Sequence, residues 1–81
     1  MLNSAGIVTV DLHGKNSYQA GVMIDSALRK SRGLYRLRII HGYNNGTILK
    51  AMVKEKYAEH PSVLRFEYVN EGVTDIILKE Y

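Results

Sequence analysis

The sequence predicts an α/β chain of the two-layer α+β kind: β-α-β-α-β-β, a four-stranded mixed sheet with two helices on one face. Three observations lead there. Two apolar runs each end in His-Gly and pass through a polar loop into a helical pattern, at Val8–Ile24 ("VTVDLHGKNSYQAGVMI") and Ile39–Val53 ("IIHGYNNGTILKAMV"). Beyond Pro61 the apolar period becomes two and stays so through Leu78, broken by one Asn-Glu-Gly turn. The second strand carries Arg36 and Arg38 on one side, so one face of the sheet is expected to stay free of helices.

Each element has its own local reason. Ile7–His13 alternates, with Val8, Val10 and Leu12 on one face and Asp11 and His13 on the other. Asn16 is a suitable N-cap for the first helix, with Gln19 in capping-box position. Ala20, Met23, Ile24, Ala27 and Leu28 make its apolar stripe; Arg29, Lys30 and Arg32 suit its negative end, and Gly33 its C′ position. Leu34–Ile40 reads as the second strand, with Leu37 and Ile39 toward the core. After the Gly42–Gly46 loop, Thr47 is the expected N-cap of a second helix reaching about Glu59, with Ile48, Leu49, Met52, Val53 and Tyr57 as its stripe. His60 stands at its end, because Pro61 disfavours helical geometry at the residue before it. Val63–Val69 and Val73–Leu78 are expected to form a hairpin, with Leu64, Phe66 and Tyr68 sharing a face. A strand–helix–strand connection makes the first two strands parallel.

The 81 residues suffice for one small domain over residues 1–81, with its core at about 7–80. No run approaches the roughly 18 apolar residues of a membrane span, and the first residues do not read as a signal peptide. There is no cysteine, which excludes disulfides and thiolate metal sites and fits a cytoplasmic setting. The net charge of +3 is unevenly spread. Residues 1–54 hold eight basic and two acidic side chains, whereas residues 55–81 hold three basic and six acidic. A one-sided positive field suits a polyanionic partner.

The two His-Gly junctions occupy equivalent places in successive strand–loop–helix units. In a parallel pair both lie at the carboxyl ends of their strands, where open α/β sheets place ligands. Both loops lead into helix N-termini, whose free N–H groups suit a phosphate. His13 and His41 are therefore the candidate general acid and base, and Asp11 is the carboxylate that would orient an imidazole. Gly14, Gly42 and Gly46, with Lys15, are the expected phosphate-holding groups. Asn44 tolerates unusual dihedrals, and Tyr43 is either an exposed loop aromatic or a stacking platform for a base. Lys50, Arg36 and Arg38 complete the expected basic surface. The HGYNNG loop lacks the ending of a P-loop, and no serine sits in a nucleophile elbow. Two histidines and one aspartate do not form a dedicated metal cage.

These residues also resemble a known family. VDLHG at Val10–Gly14 resembles the Leu-Asp-Leu-His-Gly signature of the Smr (small MutS-related) domain, and IIHGYNNGTILKAMV resembles its His-Gly-x-Gly-x-Gly signature opening the second helix. HPSV at His60–Val63 and NEGVTDIILK at Asn70–Lys79 resemble its His-Pro-x-Val step and Gly-x-Thr final strand. Asn44 stands where the second signature has its middle Gly, and Tyr43 where a basic residue is usual. The resemblance implies a sandwich like the C-terminal domain of translation initiation factor three. It also implies a nucleic-acid partner, DNA or RNA, and a nicking endonuclease or endoribonuclease activity of the kind met in DNA repair and recombination. Asp11, His13, Gly14, His41, Gly42 and Gly46 match its motifs. A non-catalytic module for branched DNA or structured RNA and a protein-interaction domain are the alternatives. A monomer with no membrane partner is expected, and a role for magnesium is left open.

Overall fold

The computed structural model describes residues 6–30, 33–42 and 46–79. Its elements are β1 (Ile7–Asp11), α1 (Ser17–Arg29), β2 (Arg36–Ile40), α2 (Gly46–Tyr57), β3 (Arg65–Asn70) and β4 (Val73–Ile77). The sheet runs in the order β1-β2-β4-β3. β1 and β2 are parallel, and β4 runs antiparallel to both β2 and β3. The expected architecture is the observed one.

α1 begins as its sequence dictates. The Asn16 side chain accepts from the Gln19 amide at 2.8 Å, and the Gln19 side chain accepts from the Asn16 amide at 3.0 Å. This reciprocal box satisfies two donors that a helix start otherwise leaves open. The helix ends at Arg29 with Lys30 as its C-cap, so Gly33 lies beyond it, at φ +82°, on the way into β2. Arg32 lies outside the described residues. α2 begins at Gly46, which puts Thr47 inside the first turn rather than at the cap.

The core lies between the helices and one sheet face. Leu12, Ala20, Ile24, Leu37, Ile39, Val53, Tyr57 and Ile76 are all but inaccessible to water. Of the expected α2 stripe, Leu49, Val53 and Tyr57 are buried and Met52 packs against them, but Ile48 is exposed. The buried members repeat every fourth residue, and Ile48 falls one step around the helix from that line, over a groove it shares with Ser17, Ala51 and Met52. At the far end of the helix pair, the Tyr57 hydroxyl donates to Asp25 Oδ1 at 2.7 Å, with the Gly21 carbonyl at 3.2 Å. Burial and this bond push the phenol well above its ordinary range, and the same bond holds the Asp25 carboxyl below its own.

The sheet face without helices is closed by charge. Arg38, Asp75 and Glu67 form one row across β2, β4 and β3. Asp75 is fully buried. Arg38 meets both its oxygens, through Nε and Nη2, at 3.0 Å each, and Arg36 Nη1 reaches Asp75 at 2.7 Å and Glu67 at 2.9 Å. Burial alone would raise the Asp75 carboxyl, but the hydrogen bonds from Arg38 and Arg36 outweigh it and hold it below the ordinary range. β3 forms the sheet edge; Phe66 packs on the core, Leu64 and Tyr68 are exposed, and the pairing with β4 shifts register between Tyr68 and Asn70.

This cluster predicts a contrast in denaturant titration. Asp75→Ala loses about 3 kcal/mol, the low end for breaking a buried ion pair, because both guanidiniums can still reach water. Glu67→Gln, at a half-exposed position, loses less than about 1 kcal/mol. A second expectation concerns α1, where a Cβ on Gly21 would meet only the flexible end of Lys56, at 2.8 Å. Gly21→Ala therefore gains helix propensity at little steric cost and raises the melting temperature, by a stabilisation of about 0.5–1 kcal/mol.

Candidate nucleic-acid interface

The two His-Gly junctions lie side by side. β1 and β2 pair up to Asp11 and Ile40, and the Leu12 amide donates to the Ile40 carbonyl at 2.8 Å just beyond. Both chains then leave the sheet at the same edge and turn toward a helix N-terminus. Gly14 has φ +78° and Gly42 φ +82°, in the left-handed region that favours glycine, and a Cβ at either would meet nothing within 4 Å. Backbone conformation, not space, is what these positions require.

The first junction is open to water. β1 ends at Asp11, so His13 stands in the following turn rather than on the strand face beside Asp11. Asp11 Oδ1 accepts from the His13 amide at 2.9 Å, closing a turn of the kind short acidic side chains favour. Asp11 thus holds the backbone of His13. His13, Gly14 and Lys15 are exposed. In the first turn of α1, Gln19 and Ala20 have their amides taken by Asn16, while helix geometry leaves those of Ser17 and Tyr18 without an intrahelical acceptor.

The second junction is closed. His41 is only 2% exposed. Its Nε2 lies 3.0 Å from Thr74 Oγ1, and its Nδ1 lies 3.3 Å from the Gly42 carbonyl. A carbonyl can only accept, so this geometry assigns the proton to Nδ1, and Nε2 then accepts from the Thr74 hydroxyl. The amides of His41 and Gly42 both donate to the Gly72 carbonyl, at 3.0 and 3.1 Å. The β3–β4 turn thereby holds the junction in place. It also takes the Gly42 N–H that the sequence suggested for phosphate. The expectation of two equivalent imidazoles on one rim is corrected: one faces solvent, and the other is packed between β2 and β4.

The other expected site residues are dispersed. Lys50 lies over the Tyr68 ring, with Nζ 5.2 Å from its centroid. Arg36 and Arg38 are engaged with Asp75 on the open sheet face, and Arg36 begins β2, roughly 16 Å of strand before His41. Gly46 is the first residue of α2; Tyr43 and Asn44 lie outside the described residues. His60 is structural: its Nδ1 accepts from the Ser62 amide at 3.0 Å and its ring tilts against Tyr57. Among the described residues, no three His, Asp or Glu side chains converge as a metal site, and no helix is long and apolar enough to cross a membrane. Sequence reasoning missed Gly72 and Thr74 as supports of the second junction. The Gly-x-Thr pattern was visible, but its meaning depends on β4 lying next to β2.

Two strand–loop–helix units side by side, with the antiparallel β3–β4 hairpin completing the sheet, define a two-layer α+β domain. The Smr domain family model matches residues 10–79, and the chain belongs to this family of nucleic-acid-binding, nuclease-type domains. The crystal structure of the Smr domain of Thermus thermophilus MutS2 superposes with a TM-score of 0.80 at 30% identity, covering 90% of this chain and 99% of that one. The solution structure of the SMR domain of NEDD4-binding protein 2 has the same fold, with a TM-score of 0.74 at 24% identity over 100% of this chain and 95% of its own. No curated protein sequence matches.

Burial pushes the His41 imidazole below its ordinary value of 6.5; the charge of Lys50 adds to this, and the Gly42 carbonyl opposes it. The unfolded chain therefore binds a proton at His41 before the folded chain does. Its contribution to stability is complete above about 6.5 and falls as the pH drops below it. Denaturant titrations between neutral pH and mildly acid pH should show this loss. In His41→Asn the same titrations should be flatter.

Proposed function

We propose that the chain binds nucleic acid at the edge formed by the two His-Gly junctions and cleaves a phosphodiester bond there, with His13 as the general acid or base. The observation that carries this reading is the exposed His13–Gly14–Lys15 turn, held by Asp11 and leading directly into the N-terminus of α1. The His13 and Lys15 amides are taken, by Asp11 Oδ1 and by the Leu12 carbonyl, so the segment offers an imidazole and a cation beside the Ser17 and Tyr18 amides at the start of α1: a proton carrier and groups that attract a phosphate. Asp11 and the His41–Thr74 pair act as positioning groups in this scheme: the first sets the turn, and the second pins the neighbouring loop to β4. Family membership makes nucleic acid the expected ligand.

A second reading keeps the binding and drops the cleavage. It is favoured by the burial of His41, which leaves one solvent-facing imidazole at the edge where a two-histidine acid–base pair would need two.

The deciding experiment incubates the chain with supercoiled plasmid, branched DNA and structured RNA, each with magnesium and with a chelator. Under the cleavage reading, His13→Ala stays folded and loses roughly 10²- to 10⁴-fold in rate, the usual worth of a positioned acid or base. His41→Ala also lowers stability, so its rate is read at matched fraction folded. Intact substrate, bound with an affinity that falls steeply with salt, selects the binding module. Cutting that survives in His13→Ala removes His13 from the chemistry.

A further inference from the structure

Among the described residues, the most exposed large apolar side chain is Tyr18, at 81%. It stands in the first turn of α1, three residues after Lys15. Val22, one turn further along, is half exposed, so the two make a strip on the outer side of the helix. With Lys15, Gln19 and Met23 they line a shallow cleft of about 270 Å³. The core stripe of α1, Ala20, Ile24 and Leu28, is buried elsewhere, so this strip contributes nothing to the packed interior. The ring and the branched aliphatic side by side form a small apolar surface within reach of a ligand.

We propose that this strip is a base-stacking subsite for an unpaired nucleotide. The proposal rests on the nucleic-acid reading above and deepens it. The Tyr18 ring offers a flat face, Val22 and Met23 extend the apolar floor, and Lys15 sets a positive charge at one side of it. That is the chemistry of a nucleobase joined to a phosphate: a planar group beside an anion. Gln19 adds a donor. Its Oε1 is fixed by the Asn16 amide, which leaves the side-chain NH2 for an acceptor on a base edge. Stacked, paired bases inside a duplex present no free face to such a ring, whereas a single strand, a bulge or a branch point does. The substrate class is therefore nucleic acid with an unpaired nucleotide next to the phosphate held near His13.

The test measures binding at low salt by fluorescence anisotropy. The probes are a short labelled single strand, the same strand with one abasic position moved along it, and a blunt duplex. The proteins are the native chain, Tyr18→Phe and Tyr18→Ala; the side chain lies outside the core, so melting temperatures check that all three fold alike. Tyr18→Ala should weaken single-strand binding roughly 5- to 150-fold, the range that stacking on one base spans, while Tyr18→Phe binds like the native chain. One abasic position should weaken the native chain and leave Tyr18→Ala indifferent. Single-strand binding by Tyr18→Ala as tight as native overturns the subsite and leaves the nucleic-acid reading standing. Equal losses on strand and duplex overturn it as well, because the ring would then be acting on the backbone. If the native chain binds neither, the subsite is overturned, and the nucleic-acid reading is decided separately by the branched DNA and structured RNA of the cleavage experiment.

Discussion

A sheet covered by helices on one side leaves its other side to polar groups and water, and here a single buried carboxylate organises that face. Asp75 sits in the middle of β4 with Glu67 beside it on β3. Two like charges in direct register repel. Arg36 and Arg38 reverse the sign of that arrangement, and their aliphatic stems cover the sheet while the guanidiniums stay partly in solvent. The cluster spans β2, β4 and β3 and supports the register of the central pair. That register places Ile39 opposite Thr74 and the end of β2 against the β3–β4 turn. The charges on the open face and the buried Leu37, Ile39 and Ile76 on the other thus favour the same register, the one in which Gly72 and Thr74 meet the second His-Gly junction.

The two junctions share a sequence pattern and differ in what they do. At the first, the chain needs only its own neighbours: Asp11 holds the turn and Asn16 with Gln19 starts the helix, so His13 is left free. At the second, Gly72 and Thr74 arrive from a distant part of the chain and occupy both the backbone and the ring of His41. The first junction is held by its own neighbours, while His41 and Gly42 of the second are anchored by the β3–β4 turn and Thr74.

What the sequence made legible was mostly local, and the local misses fall at element ends: Thr47 lies inside α2, Gly33 lies beyond the end of α1, and His13 lies past the end of β1. The order of elements, the capping box, the core stripe of α1 and the face assigned to Arg36 and Arg38 all follow from spacing of two or of three to four residues. The features it hid depend on strand order. Nothing in a one-dimensional pattern says that β4 inserts between β2 and β3, and so nothing reveals that Asp75 and Glu67 together will balance the two arginines or that Thr74 will meet His41. The same limit explains Ile48, where a helical stripe read from the sequence is one residue wider than the partner surface it meets. Tyr18 escaped notice because periodicity selects the residues facing the core, and this one faces away.

The register shift near the end of β3 has a consequence for the molecule among others of its kind. An edge strand exposes a row of unpaired backbone donors and acceptors to which a second chain can add. Here the shift between Tyr68 and Asn70 breaks the even spacing of that row, and Arg65 and Glu67 place charges along it. A straight incoming strand would lose its pairing at the irregularity and meet both charges before it. The exposed Tyr68 and Val69, which on a flat edge would invite aggregation, sit where the irregularity makes such growth least favourable.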